Sequence, residues 1–244
     1  MNDSNKMTVW FIIGFLVLVI AGVTIAYLAS GGNTGGSGGS NASSTFSATT
    51  VPAISSSDWT QGNPNAKVTL TEYGDYECPA CGAYAPIVSQ VVGQYGSQIY
   101  YAFREFPLYS IHPNAGISAQ AAEAAGLQGK YWQMHDILYK NQAAWSGDSP
   151  ASVVHDYFDG YAQQIGLNVP KFDQDINSSP VINKIQNDVA TGNAAQIDHT
   201  PTFFVNNVQI PNPTSAADFQ TVLQQALKQA GVEASTSTAS GTGQ

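Results

Sequence analysis

Residues 68–81 read VTLTEYGDYECPAC, and they contain both cysteines of the 244-residue chain. Val68, Leu70 and Glu72 alternate with Thr69, Thr71 and Tyr73, the period-two pattern of a strand. Glu72 falls on the apolar side of that alternation, an unusual place for a carboxyl group. Cys78 and Pro79 then open a helix that continues through ACGAYAPIVSQVVGQYG. Proline suits the first helical position because its missing N–H would be unpaired there anyway, Pro86 is expected to kink the helix, and Gly96 to stop it. QIYYAFREFPL, residues 98–108, supplies a second strand rich in aromatic residues, which makes a β-α-β unit.

Downstream, from about 112 to 198, the pattern is helical. NAGISAQAAEAAGLQG and KYWQMHDILYKNQ carry apolar residues three and four apart, and Pro150, Pro170 and Pro180 mark further helix starts. Strand signals return in TPTFFVNNVQIP, where Thr202–Val205 and Val208–Ile210 flank Asn206 and Asn207, residues that tolerate the positive φ of a hairpin turn. SAADFQTVLQQALKQAG closes the domain as an amphipathic helix. The order β-α-β, helical block, β-β-α predicts an α/β domain over 58–231, with a mixed sheet and a helical insertion over about 112–198.

The flanks differ in kind. Residues 8–29, TVWFIIGFLVLVIAGVTIAYLA, form an uncharged apolar run about 33 Å long as a helix, enough to cross a bilayer core of ~30 Å. The run is longer than the apolar part of a signal peptide and lacks a clear cleavage site, so an uncleaved transmembrane anchor is expected. Lys6 precedes it, which leaves residues 1–7 as a short cytoplasmic segment and puts the domain outside the cytoplasm, at the cell membrane. Residues 30–57 read as a Gly/Ser-rich tether with a reach on the order of 30 Å, and 232–244 as a disordered tail. A net charge of -9 with only 8 Lys and Arg argues against nucleic acid as a partner.

Cys78 and Cys81 allow three uses: a structural staple, half of a metal site, or a redox pair. One helical turn sets their Cα atoms ~5 Å apart, within the ~4.4–6.8 Å range of a disulfide, so the bond can form and break with little backbone movement. A staple across so small a loop would constrain little of the unfolded chain. Zinc would need two more ligands, and His112, His135, His155 and His199 show neither H-x₃₋₅-H nor a second CxxC, so no metal is expected. His112 and His199, each beside a proline-containing turn, are read as capping or solvated residues. The redox reading makes Cys78, at the helix start, the nucleophile and Cys81 the resolving thiol. Glu72 would relay a proton to or from Cys81; its alternatives are a structural acid, or one facing water if the register slips.

The CxxC after a strand, FREFPL, the helical stretch from His112 to Gln142 and TPTFFVNN, in that order, resemble the DsbA-like thiol:disulfide oxidoreductases of the thioredoxin superfamily from about Trp59 to Ala230. The resemblance implies a thioredoxin-like fold with a helical insertion, Cys78 as the exposed attacking cysteine of a Cys78–Cys81 disulfide, and Glu72 as the family's acidic position. It also implies a cis proline at Pro201, so that Thr200 and Pro201, with Pro79 and Ala80, form the substrate-binding surface. The implied activity is disulfide introduction into reduced or unfolded exported proteins, with no cofactor of the chain's own and a quinone-linked membrane thiol oxidase as reoxidising partner. A reductase or isomerase of the same superfamily is the nearest alternative, and a non-catalytic thioredoxin-like binding module the more distant one. The Pro79-Ala80 dipeptide lacks the histidine of the best-known DsbA proteins, which leaves the oxidising strength open.

Overall fold

The computed structural model describes residues 49–147 and 150–233. The expected anchor at 8–29, the segment before it, most of the tether and nearly all of the tail lie outside the described residues. Among the described residues no helix is long and apolar enough to cross a membrane.

The sheet has five strands in the order β1-β3-β2-β4-β5. β2 (Val68–Gly74) and β3 (Ile99–Glu105) are parallel and joined by helix α1 (Pro79–Tyr95). β4 (Thr202–Val205) lies antiparallel on the other side of β2, and β5 (Val208–Ile210) follows it through a hairpin. Asn206 and Asn207 have φ of 49° and 66°, the left-handed pair that a tight hairpin needs. The register sets Glu72 opposite Phe103 on one side and Phe203 on the other, in the middle of the sheet.

The period-two pattern sorts β2 between two cores. Val68, Leu70, Tyr101, Phe103 and Phe203 join the larger cluster, with Cys81, Val88, Val91, Val92 and Tyr95 of α1. Phe219, Leu223 and Leu227 of the last helix, α8 (Ala216–Gln229), complete it. The Ser215 hydroxyl caps α8 by accepting from Asp218 N. Tyr73, Phe106, Ile197, Phe204 and Val51 form the second cluster. α1 continues through Pro86 to Gly96, where a Cβ would come within 2.7 Å of the Val92 carbonyl oxygen.

The insertion consists of α2 (Ala115–Gly126), α3 (Tyr131–Lys140), α4 (Gln142–Trp145), α5 (Ala151–Gln164), α6 (Val169–Asp175) and α7 (Ser179–Ala194). Pro170 and Pro180 stand in the first turns of α6 and α7, whereas Pro150 is the cap of α5. Two features depart from the sequence pattern. β1 (Trp59–Gly62) adds an antiparallel edge to β3 that the short, polar WTQG did not signal. Tertiary contacts hold it: Trp59 stacks on Tyr131 at 4.6 Å and donates to Glu123 at 2.8 Å. Residues 49–57, assigned to the tether by composition, are fastened to the domain. Val51 is buried, Thr50 bridges Val208, and buried Arg104 binds Asp58 through two nitrogens and donates to the carbonyls of Pro52 and Ala53.

Phe203 is fully buried, edge-on to Phe219 at 4.9 Å and beside Tyr84. Phe203→Ala is expected to lower the unfolding free energy by about 3–5 kcal/mol in urea titration, through lost burial and the cavity left behind. Val208→Ala, at a 39% exposed position, should cost far less.

Candidate active site

The chain leaves β2 through Asp75, Tyr76 and Glu77 and enters α1 with Cys78 as its N-cap. Cys78 has extended backbone (φ -67°, ψ 120°) and donates its N–H to the Asp75 carbonyl at 3.1 Å. Gln142, at the start of α4, donates its side-chain amide to the carbonyls of Tyr76 at 2.7 Å and Cys78 at 2.9 Å. The insertion is thereby tied to the reactive turn. Gly82 permits this approach, since a Cβ there would lie 2.6 Å from the Gln142 side chain.

Both cysteines are free thiols. Cys81 is fully buried and Cys78 retains 6% of its surface, so the attacking cysteine implied by the family is the more accessible of the two but only narrowly open. The peptide bond between Thr200 and Pro201 is cis. The Cys78 thiol faces the Thr200 carbonyl oxygen at 3.4 Å, and the Thr200 hydroxyl is buried without a hydrogen-bond partner. The Cys78 pKa is lowered to about 5. The largest cause is a hydrogen bond from the Cys81 thiol; burial opposes it, and Thr200 and the N–H groups of Cys81 and Ala80 assist. The sequence had pointed to the helix start, but the neighbouring thiol contributes more. Cys81 shifts the opposite way, well above an ordinary thiol, through burial and then through its bond and proximity to Cys78. The pair is therefore asymmetric: the first proton leaves Cys78 and the second stays on Cys81.

Glu72 is buried on the larger core's face of β2, as the alternation expected, with 3% exposure. Tyr101 donates its hydroxyl to Glu72 Oε2 at 2.8 Å. Burial raises the Glu72 pKa to about 7 against the opposing effect of that bond, and its charge in turn raises the Cys81 pKa. A cavity of about 40 Å³ adjoins Glu72, Tyr101, His135, Asp136 and Tyr139. It is large enough for a water molecule, and the Tyr139 hydroxyl is buried there without a hydrogen-bond partner.

Pro79 and Ala80 form the first helical turn and are exposed, while Thr200 and Pro201 are buried, with the Thr200 carbonyl facing Cys78. Three further residues shape the turn without having been singled out in the sequence, Asp75, Glu77 and Gln142, and His112 joins them. The two acids, close to Cys78 in a charge-poor chain, were a visible signal; Gln142, 64 residues away, was not. His112 is not solvated but bonded through Nδ1 to Asp75 at 2.7 Å. Among the described residues, His155, Asp159 and Asp173 could together approach a cation, but all three are partly exposed and His155 already faces both carboxylates, at 3.5 and 4.0 Å.

The sequence matches the family described as Thioredoxin over residues 55–225. A thioredoxin-like oxidoreductase from Silicibacter pomeroyi DSS-3 is 26% identical and superposes with a TM-score of 0.60, covering 71% of this chain and 94% of its own. The alpha-DsbA1 of Wolbachia pipientis, at 22% identity, superposes with a TM-score of 0.64 over 74% of this chain and 94% of its own. A Na(+)/H(+) antiporter NhaA 1 of Mycolicibacterium gilvum (strain PYR-GCK) is 36% identical over 171 residues, 68% of this chain but 26% of the antiporter. The chain thus spans about a quarter of the length of that curated relative. The chain belongs to the thioredoxin family, and its fold, with a helical insertion and a CxxC pair opening α1, is that of the DsbA-like thiol:disulfide oxidoreductases.

Two measurements check these proton affinities. In the reduced protein, alkylation by iodoacetamide should occur at Cys78 alone and rise with pH around a midpoint of about 5; a midpoint near ~8.5, the ordinary thiol value, would refute the asymmetry. The second concerns Glu72, whose folded pKa of about 7 lies above the unfolded value near 4.5. Its contribution to stability is complete below the lower value and is lost as pH rises through the upper one. Urea stability should therefore fall between those pH values, and Glu72→Gln should make the fall shallower by up to ~1.4 kcal/mol per pH unit. Part of the slope should survive, because burial also raises Glu105 and Glu123.

Proposed function

We propose that this chain is a membrane-anchored, extracytoplasmic dithiol oxidase that introduces disulfides into exported proteins. The observation that carries the proposal is the placement of the two sulfurs, Cys78 at the N-cap of α1 facing the Thr200 carbonyl at 3.4 Å and Cys81 fully buried one turn on, which stabilises the Cys78 thiolate. A sulfur that ionises at about pH 5 is a good leaving group, and its stabilisation favours the reduced enzyme, which makes the Cys78–Cys81 disulfide the more oxidising. A reductase needs the opposite balance.

A client thiolate attacks Cys78 Sγ of the oxidised enzyme, the Cys78–Cys81 bond breaks, and Cys81 departs with the electron pair. Its high pKa makes it take up a proton; in this reading Glu72, neutral at pH values below about 7, supplies one and regains it from solvent, which has received the protons of the client thiols. The client's second thiolate then attacks the client sulfur of the mixed disulfide and expels Cys78 as a stable thiolate. Two electrons pass from client to enzyme, and the client's thiol protons end on Cys81 and in solvent. The backbone beside Pro201, with Pro79 and Ala80, would receive the client as an added extended segment.

Return to the disulfide requires an external oxidant, for which the family resemblance suggests a quinone-linked membrane thiol oxidase. The anchor at 8–29 would keep the domain near such a partner. The match to a protein named as an antiporter supports a place of action beside a membrane.

The oxidised chain should form one disulfide per turnover in a reduced, unfolded two-cysteine protein, and Cys78→Ser should abolish it; unchanged oxidation would leave the binding-module reading. Redox titration against glutathione should place the pair above about -200 mV. A value near thioredoxin's ~-270 mV would make the chain a reductase instead.

A further inference from the structure

We infer that Asp75 and His112 are positioning residues for the Cys78 thiolate: the Asp75 carboxylate joins the turn entering α1 to the segment 108–112, and His112 supplies the donor that locks it there. The inference rests on Cys78 being the reactive sulfur, and it applies in either redox direction.

The Asp75 side chain is fully buried. Its Oδ1 accepts from Glu77 N at 2.8 Å, closing an Asx turn immediately before Cys78. Its Oδ2 accepts from Leu108 N at 2.9 Å and from His112 Nδ1 at 2.7 Å. Its main-chain carbonyl accepts from Cys78 N at 3.1 Å. One residue thus ties the backbone of the nucleophile to a segment more than thirty positions downstream.

Segment 108–112 has little else to fix its tip. Ile111 N and His112 N both bond to the Leu108 carbonyl, which folds the segment on itself, while Tyr109 and Ile111 are 62% and 66% exposed. At its end stands His112, with a side chain only 13% exposed. The thiolate's own stabilisers, the Cys81 thiol, Thr200 and the first N–H groups of α1, act through hydrogen bonds that weaken steeply with distance and angle. A turn that wanders by a few tenths of an ångström loses part of each. A carboxylate released from Leu108 and His112 would also compete for N–H groups at the helix start.

Charge and position predict opposite signs, which makes the inference testable. Removing a nearby negative charge stabilises a thiolate and lowers its pKa, whereas loosening the turn raises it. In the full chain, reduced and titrated by the ultraviolet absorbance of the thiolate, His112→Leu should raise the Cys78 pKa by roughly one unit, a tenfold loss of thiolate below the pKa. His112→Asn, which keeps an N–H donor near the position of Nδ1 without an ionisable ring, should titrate like the unmutated chain. Asp75→Asn should also raise the pKa despite the lost charge, and it decides the matter if His112→Leu does not fold. A His112→Asn shift as large as that of His112→Leu, or an unchanged or lowered pKa in Asp75→Asn, would overturn the inference. Because the readout is proton affinity and not client oxidation, its failure would leave the proposed reaction standing, and loss of that reaction would not decide this test.

Discussion

The unequal proton affinity of two neighbouring sulfurs, Cys78 and Cys81, is the constraint on which the chemistry of this molecule depends. Their surroundings turn two chemically equal groups into unequal ones. Cys78 becomes a thiolate near pH 5 because its neighbour donates to it, and Cys81 keeps its proton because it is buried and donating. That preference for the Cys78 thiolate exists only in the reduced protein, so its free energy favours the dithiol over the disulfide.

The scaffold maintains that inequality by placing the sulfurs at different depths. Cys81 belongs to the buried stripe of α1 with Val88, Val91 and Tyr95, over the face of the sheet that carries Leu70, Phe103 and Phe203. Cys78, one turn earlier, is the N-cap, where the chain emerges from the sheet beside Thr200. The crossover that makes β2 and β3 parallel thus delivers the helix start to the carboxyl ends of the strands, the place where open α/β sheets gather reactive groups. The insertion is more than an appendage: Gln142 of α4 bonds two carbonyls of the turn, and Glu77 accepts from Gly147 at 2.8 Å and from Asn114.

Much of this was legible in the sequence because it is encoded locally. Alternation in VTLTEYG gave the strand and the inward face of Glu72, Pro79 gave the helix start, and Asn206-Asn207 gave the hairpin. β1 was not legible, since WTQG has neither length nor alternation and is held by Trp59 against Tyr131 and Glu123, partners more than sixty residues away. Nor was the packing of residues 49–57: their composition suits a tether, but Arg104 needs acceptors and finds them in Pro52, Ala53 and Asp58. The roles of His112 and Gln142 depend on long-range contacts that periodicity does not encode.

The several carboxyl groups near the reactive turn raise an electrostatic difficulty, because negative charge opposes a thiolate. The structure resolves it in two ways. Glu72 is buried deeply enough to stay neutral up to about pH 7, so it adds no charge when Cys78 ionises. Asp75 and Glu77 have their oxygens occupied by donors from Glu77 N itself, Leu108, His112, Asn114 and Gly147. Protonation answers the problem for Glu72, and hydrogen bonding answers it for the two acids that hold the backbone. The two solutions differ because burial differs in kind: Glu72 faces the apolar side of the sheet, whereas Asp75 and Glu77 sit among N–H donors, although all three lie within the same six residues of sequence.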